Sequence, residues 1–139
     1  TVFMLPPWLR LMDHNYFDVQ FSAKLGDFRS HLSMSPGEYF KRNIAVGASC
    51  VPRADIDLRS VLGVDKLMWG SDYPHPEGTW PNTQHYYLET FAGVPEADGR
   101  KILGENAIAW YGLDQTYLQS VADKIGPSSS IFNATGKAA

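Results

Sequence analysis

Two short apolar runs, separated by a helical pattern, mark the middle of the chain. The first, 44–48, is continuous rather than alternating, which is typical of a strand buried on both faces of a sheet. The second occupies 64–70. Between them, 55–62 has the pattern of a helix that ends at Gly63. Strand, helix and strand within about thirty residues predict a βαβ unit with two parallel strands.

Helical patterns flank this unit on both sides. Before it, apolar residues at helical spacing after two prolines predict an amphipathic helix over 8–19, while 20–34 is mixed and gives no assignment. The Ser-Pro-Gly-Glu sequence at 35–38 predicts a second helix start, with Ser35 as the cap and Glu38 three residues later. After the unit, the predicted helices occupy 83–91, 95–103, 105–111 and a segment from the cap Asp114 to Gly126.

The predicted elements are too few for a closed parallel sheet. Such a sheet needs several neighbouring strands and cover on both faces. We therefore predict that residues 1–126 form the end of a larger α/β architecture or half of an assembly, and that 127–139, with little to bury, form a flexible tail.

Composition narrows the classes of partner. The chain has 139 residues, of which 44% are hydrophobic and 19% are charged, so it can bury a core. Its net charge of −3, from 12 basic and 15 acidic residues, argues against nucleic acid as a partner. No apolar stretch approaches the roughly 18 residues that span a bilayer. The start resembles no signal peptide and Cys50 is the single cysteine, so a cytoplasmic location is the expectation.

The candidate chemistry lies in 67–81, LMWGSDYPHPEGTWP, where the second strand gives way to a loop. Asp72 comes two residues after the predicted strand. In βα architectures that end of the sheet collects active sites, and a carboxylate there can bind a metal ion or accept a proton. The alternative is that Asp72 caps a turn ahead of Pro74, as aspartates often do.

Other side chains of the loop have two interpretations each. An aspartate and a histidine three residues apart, Asp72 and His75, can share one cation, although two ligands are too few for a closed zinc site. His75 is otherwise a partly exposed loop histidine, and Glu77 a solvated carboxylate. The aromatic residues Tyr73 and Trp80, together with Trp69 of the strand, can line a pocket for a flat substrate or be ordinary core and rim residues.

The remaining candidates are weaker. His14, beside Asp13, lies on a predicted helix face, and His31 lies in the unassigned segment. His85 falls in the first turn of a predicted helix. Cys50 follows the first strand and could face the same pocket, but no histidine pairs with it by spacing, which favours an inert thiol.

The stretch LMWGSDYPH at 67–75 resembles the last strand and loop of the amidohydrolase-related family. These are metal-dependent (β/α)8-barrel hydrolases and decarboxylases, and they include aminocarboxymuconate-semialdehyde decarboxylase. The segment SPGEYFKRN at 35–43 is similar to the helix that leads into the seventh strand. KILGENA at 101–107, followed by Tyr-Gly-Leu at 111–113, is similar to the closing helix. The resemblance covers about 8–115.

The resemblance implies that Asp72 is the eighth-strand aspartate, which binds the metal, zinc or manganese, or activates its water. His75 falls in the loop beside this aspartate. From their place in the same loop, we also predict that His75, Tyr73 and Trp80 contact the substrate, a small carboxylic acid or amide. The family also uses a His-x-His pair on the first strand and a histidine on a middle strand. This sequence contains no His-x-His, and a complete barrel takes roughly 250 residues. The resemblance therefore implies the last two βα units of a TIM barrel.

Two functional hypotheses follow. The first is a portion of a metal-dependent enzyme that hydrolyses C–N or C–O bonds or decarboxylates an aromatic or unsaturated acid without oxidation. The second is a non-catalytic chain whose open sheet edges and apolar faces pair with a second copy or with a complementing portion of the barrel.

Overall fold

The structure, a computed structural model, describes residues 2–18, 26–27 and 29–134. It is rich in helix and has one small sheet. The helices are α1 Leu5–Phe17, α2 Pro36–Asn43, α3 Arg53–Ile56, α4 Arg59–Leu62, α5 Thr83–Phe91, α6 Glu96–Arg100, α7 Asn106–Tyr111, α8 Gln115–Ile125 and α9 Ser130–Asn133. The strands are β1 Val46–Ser49 and β2 Leu67–Gly70, and a π-helical turn, Lys101–Glu105, joins α6 to α7.

The two strands pair in parallel, with Val46 opposite Leu67 and Ser49 opposite Gly70. The predicted βαβ unit and its parallel pairing are therefore confirmed. The connection contains two short helices, α3 and α4, in place of the single predicted one. The Leu58 N–H donates to the Asp55 carbonyl three residues back, which tightens the backbone where α3 ends.

Burial of β1 on both faces was predicted from its continuous apolar run, and this prediction is wrong for the described residues. Val46 and Ala48 are half-buried against the hydrophobic core, whereas Gly47 and Ser49 are exposed. Side chains alternate between the two faces of a strand. The helices therefore cover one face of β1 and leave the other, formed by two small residues, open.

The core lies between the covered face of the sheet and the surrounding helices. Its buried side chains include Val2, Phe40, Ile56, Leu62, Leu67, Phe91 and Ile102. The buried Asp55 carboxylate accepts a hydrogen bond of 2.8 Å from the Val2 N–H and so fixes the start of the described chain against α3. α1 begins at Leu5, earlier than predicted, because prolines are tolerated in the first turn of a helix.

Asn106 connects the C-terminal helices to the sheet. Its side-chain amide is buried at the start of α7 and donates to the carbonyls of Val64 and Leu67, each at 2.7 Å. Both carbonyls belong to the segment that enters β2. One side chain thus places the π-helical turn and α7 against the strand that leads to Asp72.

Residues 130–133 differ from the predicted flexible tail. They form α9, and Ile131 and Phe132 are buried, with the Phe132 ring perpendicular to that of Phe91. A Cβ on Gly99 would overlap the Phe132 ring, so the glycine provides the space in which α9 docks. These two apolar residues, placed at the end of a polar segment, find their partners only in the tertiary structure. The domain boundary at 126 stays a prediction, and 135–139 lie outside the described residues.

Two predicted helix caps are confirmed. Ser35 and Glu38 form a reciprocal capping box at α2, in which the Glu38 N–H donates to the serine hydroxyl and the Ser35 N–H donates to the carboxylate. At α8 the Asp114 carboxylate accepts from the Tyr117 N–H. The hydrogen bond from the Ser35 backbone, assisted by the Ser35 side chain and the charge of Lys41, lowers the pKa of Glu38.

The capping box predicts a pH-dependent contribution to stability. Because the pKa of Glu38 is lower in the folded chain, its ionised form stabilises the fold above the ordinary pKa of a glutamate, and this contribution is lost as the pH falls through the folded value. Glu38→Ala should therefore lower the urea midpoint most at pH 7 and progressively less in acid. Glu96→Ala, at an exposed position of α6, is the control and should show a smaller change with pH. If the difference in urea midpoint between Glu38→Ala and the wild type does not change with pH, the prediction is contradicted.

Several large apolar side chains remain exposed. They include Phe3, Trp8, Leu11, Val61, Tyr111 and Ile125. Exposure of this kind on separate elements is consistent with surfaces that pair with another part of a larger assembly. Within the described part of the chain, no helix combines the length and the apolar character needed to cross a membrane.

Candidate functional site

The site lies where the two parallel strands end side by side. Asp72, two residues beyond β2, has φ +60°, and Cys50, directly after β1, has φ +52°. Both values lie in the left-handed region, which non-glycine residues adopt infrequently and which aspartate and asparagine tolerate best. The chain therefore turns sharply at the same edge of the sheet after each strand. This C-terminal edge of parallel strands is where α/β enzymes place active sites.

The loop that follows β2 is closed by its own backbone hydrogen bonds. The Thr79 N–H donates to the Ser71 carbonyl at 2.9 Å, and the Gly78 N–H donates to the His75 carbonyl at 2.9 Å. A Cβ on Gly78 would lie 2.7 Å from the Ser71 oxygen and 3.0 Å from those of Asp72 and His75. Only glycine fits at this position, since the surrounding atoms belong to the backbone.

The Asp72 carboxylate faces the end of β1. Ser49 Oγ donates to Asp72 Oδ1 at 3.3 Å, and His75 Nδ1 lies 3.7 Å from Asp72 Oδ2. The turn itself is closed by the Asp72 backbone carbonyl, which accepts from the His75 N–H at 2.7 Å. Among the described residues, no backbone N–H donates to the carboxylate. The carboxylate thus receives no turn-capping bond from a described backbone N–H and, at 43% exposed, is accessible.

The His75 ring is oriented by the loop. The Glu77 N–H donates to His75 Nδ1 at 3.3 Å, so in the neutral imidazole the proton lies on Nε2. The side chain of His75 is 57% exposed and lies three residues from Asp72 at the same edge. The Glu77 side chain is exposed. The backbone carbonyl of Glu77 lies 3.7 Å from the thiol of the half-buried Cys50. The loop therefore contacts both strand ends.

The aromatic residues divide into two groups. Tyr73 and Trp80 are 65% and 67% exposed, with ring centroids 6.0 Å apart, and both belong to the loop between β2 and α5. Trp69, by contrast, packs at 4.9 Å on Tyr87 next to the core, and burial raises the pKa of Tyr87. The first pair is available to a ligand, whereas Trp69 is a core residue.

The other histidines lie away from this edge. His14 pairs with Asp18 one turn along α1, and His85 pairs with Glu89 one turn along α5. His31 is exposed in a short 3₁₀ turn. Each is exposed, which fits the predicted helix positions of His14 and His85, and His31 lies in the segment without a predicted element.

A metal centre would need more ligands than this edge provides. Within 2–18, 26–27 and 29–134, no group of three or more His, Cys, Asp or Glu side chains could hold a metal ion. Asp72 and His75 are two possible donors of oxygen and nitrogen, and a zinc centre needs at least three protein ligands. The described residues alone therefore do not fit a complete metal centre.

Sequence reasoning missed Ser49 as part of the site. It is 23 residues before Asp72 and carries no motif of its own. The parallel register could have identified it, because pairing β1 with β2 places the last residue of each strand at the same edge.

A parallel βα unit with an accessible carboxylate at the C-terminal edge of its last strand is an arrangement typical of α/β-barrel enzymes. Comparison with known protein families supports this class of enzyme. The family described as "Amidohydrolase" matches residues 16–113, and the chain belongs to this family. Its members are in general metal-dependent, hydrolase-type enzymes with a TIM-barrel fold that act on small molecules. A search of curated protein sequences found no match.

Proposed function

We propose that the chain supplies the C-terminal strands of an amidohydrolase-type active site, in which Asp72 is the catalytic carboxylate. Asp72 would act as a metal ligand or as the group that accepts and returns a proton. The remaining ligands would come from a second copy or from a complementing portion of the barrel, because the edge itself lacks them. The specific likeness to aminocarboxymuconate-semialdehyde decarboxylase, the partial TIM barrel and the cytoplasmic location stay predictions.

One observation carries the proposal. The Asp72 carboxylate accepts no hydrogen bond from the loop backbone, among the residues described, although Asp72 lies near the start of a loop that backbone hydrogen bonds close. A structural aspartate in such a turn would be expected to bond to the nearby amides. The family match spans the same position.

The surrounding side chains suggest the class of substrate. Tyr73 and Trp80 present two exposed rings on the same loop as Asp72, and His75 presents an Nε2–H donor in its neutral form. Aromatic rings favour a planar ligand, and an N–H donor favours a carbonyl or carboxylate. The proposed reaction is hydrolysis of a C–N or C–O bond or non-oxidative decarboxylation of an aromatic or unsaturated acid, and the family match supports a hydrolase-type enzyme. Of these, the exposed ring pair favours decarboxylation.

In a complete active site, Asp72 would help to hold a divalent ion, zinc or manganese, and that ion would supply Lewis-acid chemistry toward the carbonyl or carboxylate of such a substrate. Elemental analysis of the purified chain, together with Asp72→Asn, tests whether a site assembles. We expect the ion to be bound only when the missing ligands are supplied, by a second copy or by a complementing portion of the barrel, and to be lost in the variant. Asparagine is preferred to alanine because it tolerates the left-handed backbone at this position. Metal bound equally by the wild type and by the variant, once the missing ligands are supplied, would contradict the assignment of Asp72.

The second candidate is a non-catalytic chain that acts through self-association or a partner. The exposed apolar side chains and the uncovered face of β1 favour it. Sedimentation at several concentrations separates the candidates when it accompanies the metal analysis. A concentration-dependent oligomer without metal supports the second candidate, and an oligomer with metal that depends on Asp72 supports the first.

A further inference from the structure

Ser49 is placed by the sheet rather than by the loop. It is the last residue of β1, pairs with Gly70 of β2, and points to the face that the helices leave uncovered. Gly70 lies two residues before Asp72, so both side chains that meet at 3.3 Å emerge from the same edge. β1 is held by its pairing with β2 and by the packing of Val46 and Ala48. The backbone position from which the Ser49 side chain extends is therefore fixed.

We propose that Ser49 is a positioning residue, whose hydroxyl holds the Asp72 carboxylate in one rotamer with Oδ1 engaged and Oδ2 open to the substrate. The catalytic meaning of this proposal rests on the proposed function of Asp72. The hydrogen bond between Ser49 and Asp72 does not depend on that function.

The two carboxylate oxygens have different surroundings. Oδ1 accepts from Ser49, whereas Oδ2 has within the described chain only the His75 ring, at 3.7 Å, which is beyond hydrogen-bond distance. The nearer ring nitrogen already accepts from the Glu77 N–H. His75 therefore does not replace Ser49 as a donor in its neutral form, and the serine is the group that selects the rotamer.

If Ser49 only stabilised the fold, its removal would lower the melting temperature and leave the rotamer of Asp72 unchanged. The hydrogen bond is exposed, and exposed contacts of this kind contribute little to the stability of a fold. An exposed aspartate without a fixed partner samples several staggered rotamers. Removal of the hydroxyl should thus release the side chain of Asp72 while the melting temperature stays unchanged.

The test is an NMR measurement on the isotopically labelled 139-residue chain. Three-bond couplings from Asp72 Cγ to the backbone nitrogen and carbonyl carbon report the χ1 rotamer. We expect a single rotamer in the wild type, averaged couplings in Ser49→Ala, and recovery in Ser49→Thr, which keeps the hydroxyl. Ser60→Ala removes another exposed serine hydroxyl, on α4, and should match the wild type. Unchanged couplings in Ser49→Ala would overturn the proposal.

Turnover distinguishes this proposal from the function on which it rests. In a preparation with a complete active site, Ser49→Ala should lower kcat about 10- to 100-fold, with Ser49→Thr near the wild type. Altered couplings together with full activity of Asp72→Asn would leave the positioning intact and reject the proposed function. Inactive Asp72→Asn with unchanged couplings in Ser49→Ala would reject the positioning alone.

Discussion

Asn106→Asp is expected to destabilise the chain by about 2–4 kcal/mol, since it removes a donor from two carbonyls and adds a buried charge. The side-chain amide donates to Val64 and Leu67 at 2.7 Å each, and the residue is 8% exposed. Aspartate has nearly the same shape but presents only acceptor oxygens when ionised. Its carboxylate would face two carbonyl oxygens, so the same geometry that stabilises the wild type becomes repulsive.

The measurement is the free energy of unfolding in urea at pH 7. Asn82→Asp is the matched control, because Asn82 is exposed and makes no side-chain cap at the start of α5. That control should change stability by less than about 0.5 kcal/mol. A loss in Asn106→Asp no larger than in the control would show that the two hydrogen bonds do not hold the π-helical turn against β2.

Local signals in the sequence predicted the start of several helices. The Ser35 cap with Glu38, and the Asp114 cap, depend on residues three apart and on backbone groups in the same turn. The parallel pairing of β1 with β2 also followed from the order strand, helix, strand. These features were predictable because each has its physical cause within one element or one connection.

Features with long-range causes were not predictable. Asn106 meets its carbonyl partners 39 and 42 residues away, and no pattern around it reveals them. The one-sided burial of β1 depends on which helices are present, and a continuous apolar run cannot show that one face has no cover. Likewise, Phe132 is buried only because Gly99 leaves space for its ring.

For the candidate site, the sequence motif at 67–81 indicated the residues but not the contacts that their side chains make. The glycine, proline and acidic residues of 67–81 indicated a turn at the end of a strand, and the structure has it. Whether the Asp72 carboxylate closes that turn or stays available depends on backbone angles. The φ of +60° and the bond from the His75 N–H to the backbone oxygen provide that information.

Asp72→Asn is expected to lower turnover by about 10²–10⁴-fold in a preparation that carries a complete active site, the range associated with loss of a general acid or base. Asparagine keeps the size of the side chain, can still accept from Ser49, and tolerates φ +60°. The substitution therefore removes the negative charge and the ability to accept a proton while the backbone is preserved. Release of CO₂ from benzoic and cinnamic acids, and hydrolysis of 4-nitroanilides, would cover both classes of reaction.

Asp65→Asn is the control for this experiment. Asp65 is an aspartate of the same βα unit with an exposed carboxylate, and it pairs with Lys66 at 3.1 Å before β2 begins, at the opposite end of the strand from Asp72. It should leave turnover unchanged, and both variants should keep the wild-type melting temperature to within a few degrees. Full turnover by Asp72→Asn would assign the Asp72 carboxylate a structural role. His75 would then be the next candidate for the catalytic group. Loss of turnover in both variants would point to an effect on the fold, since the two carboxylates share the strand but not the edge at which the substrate would bind.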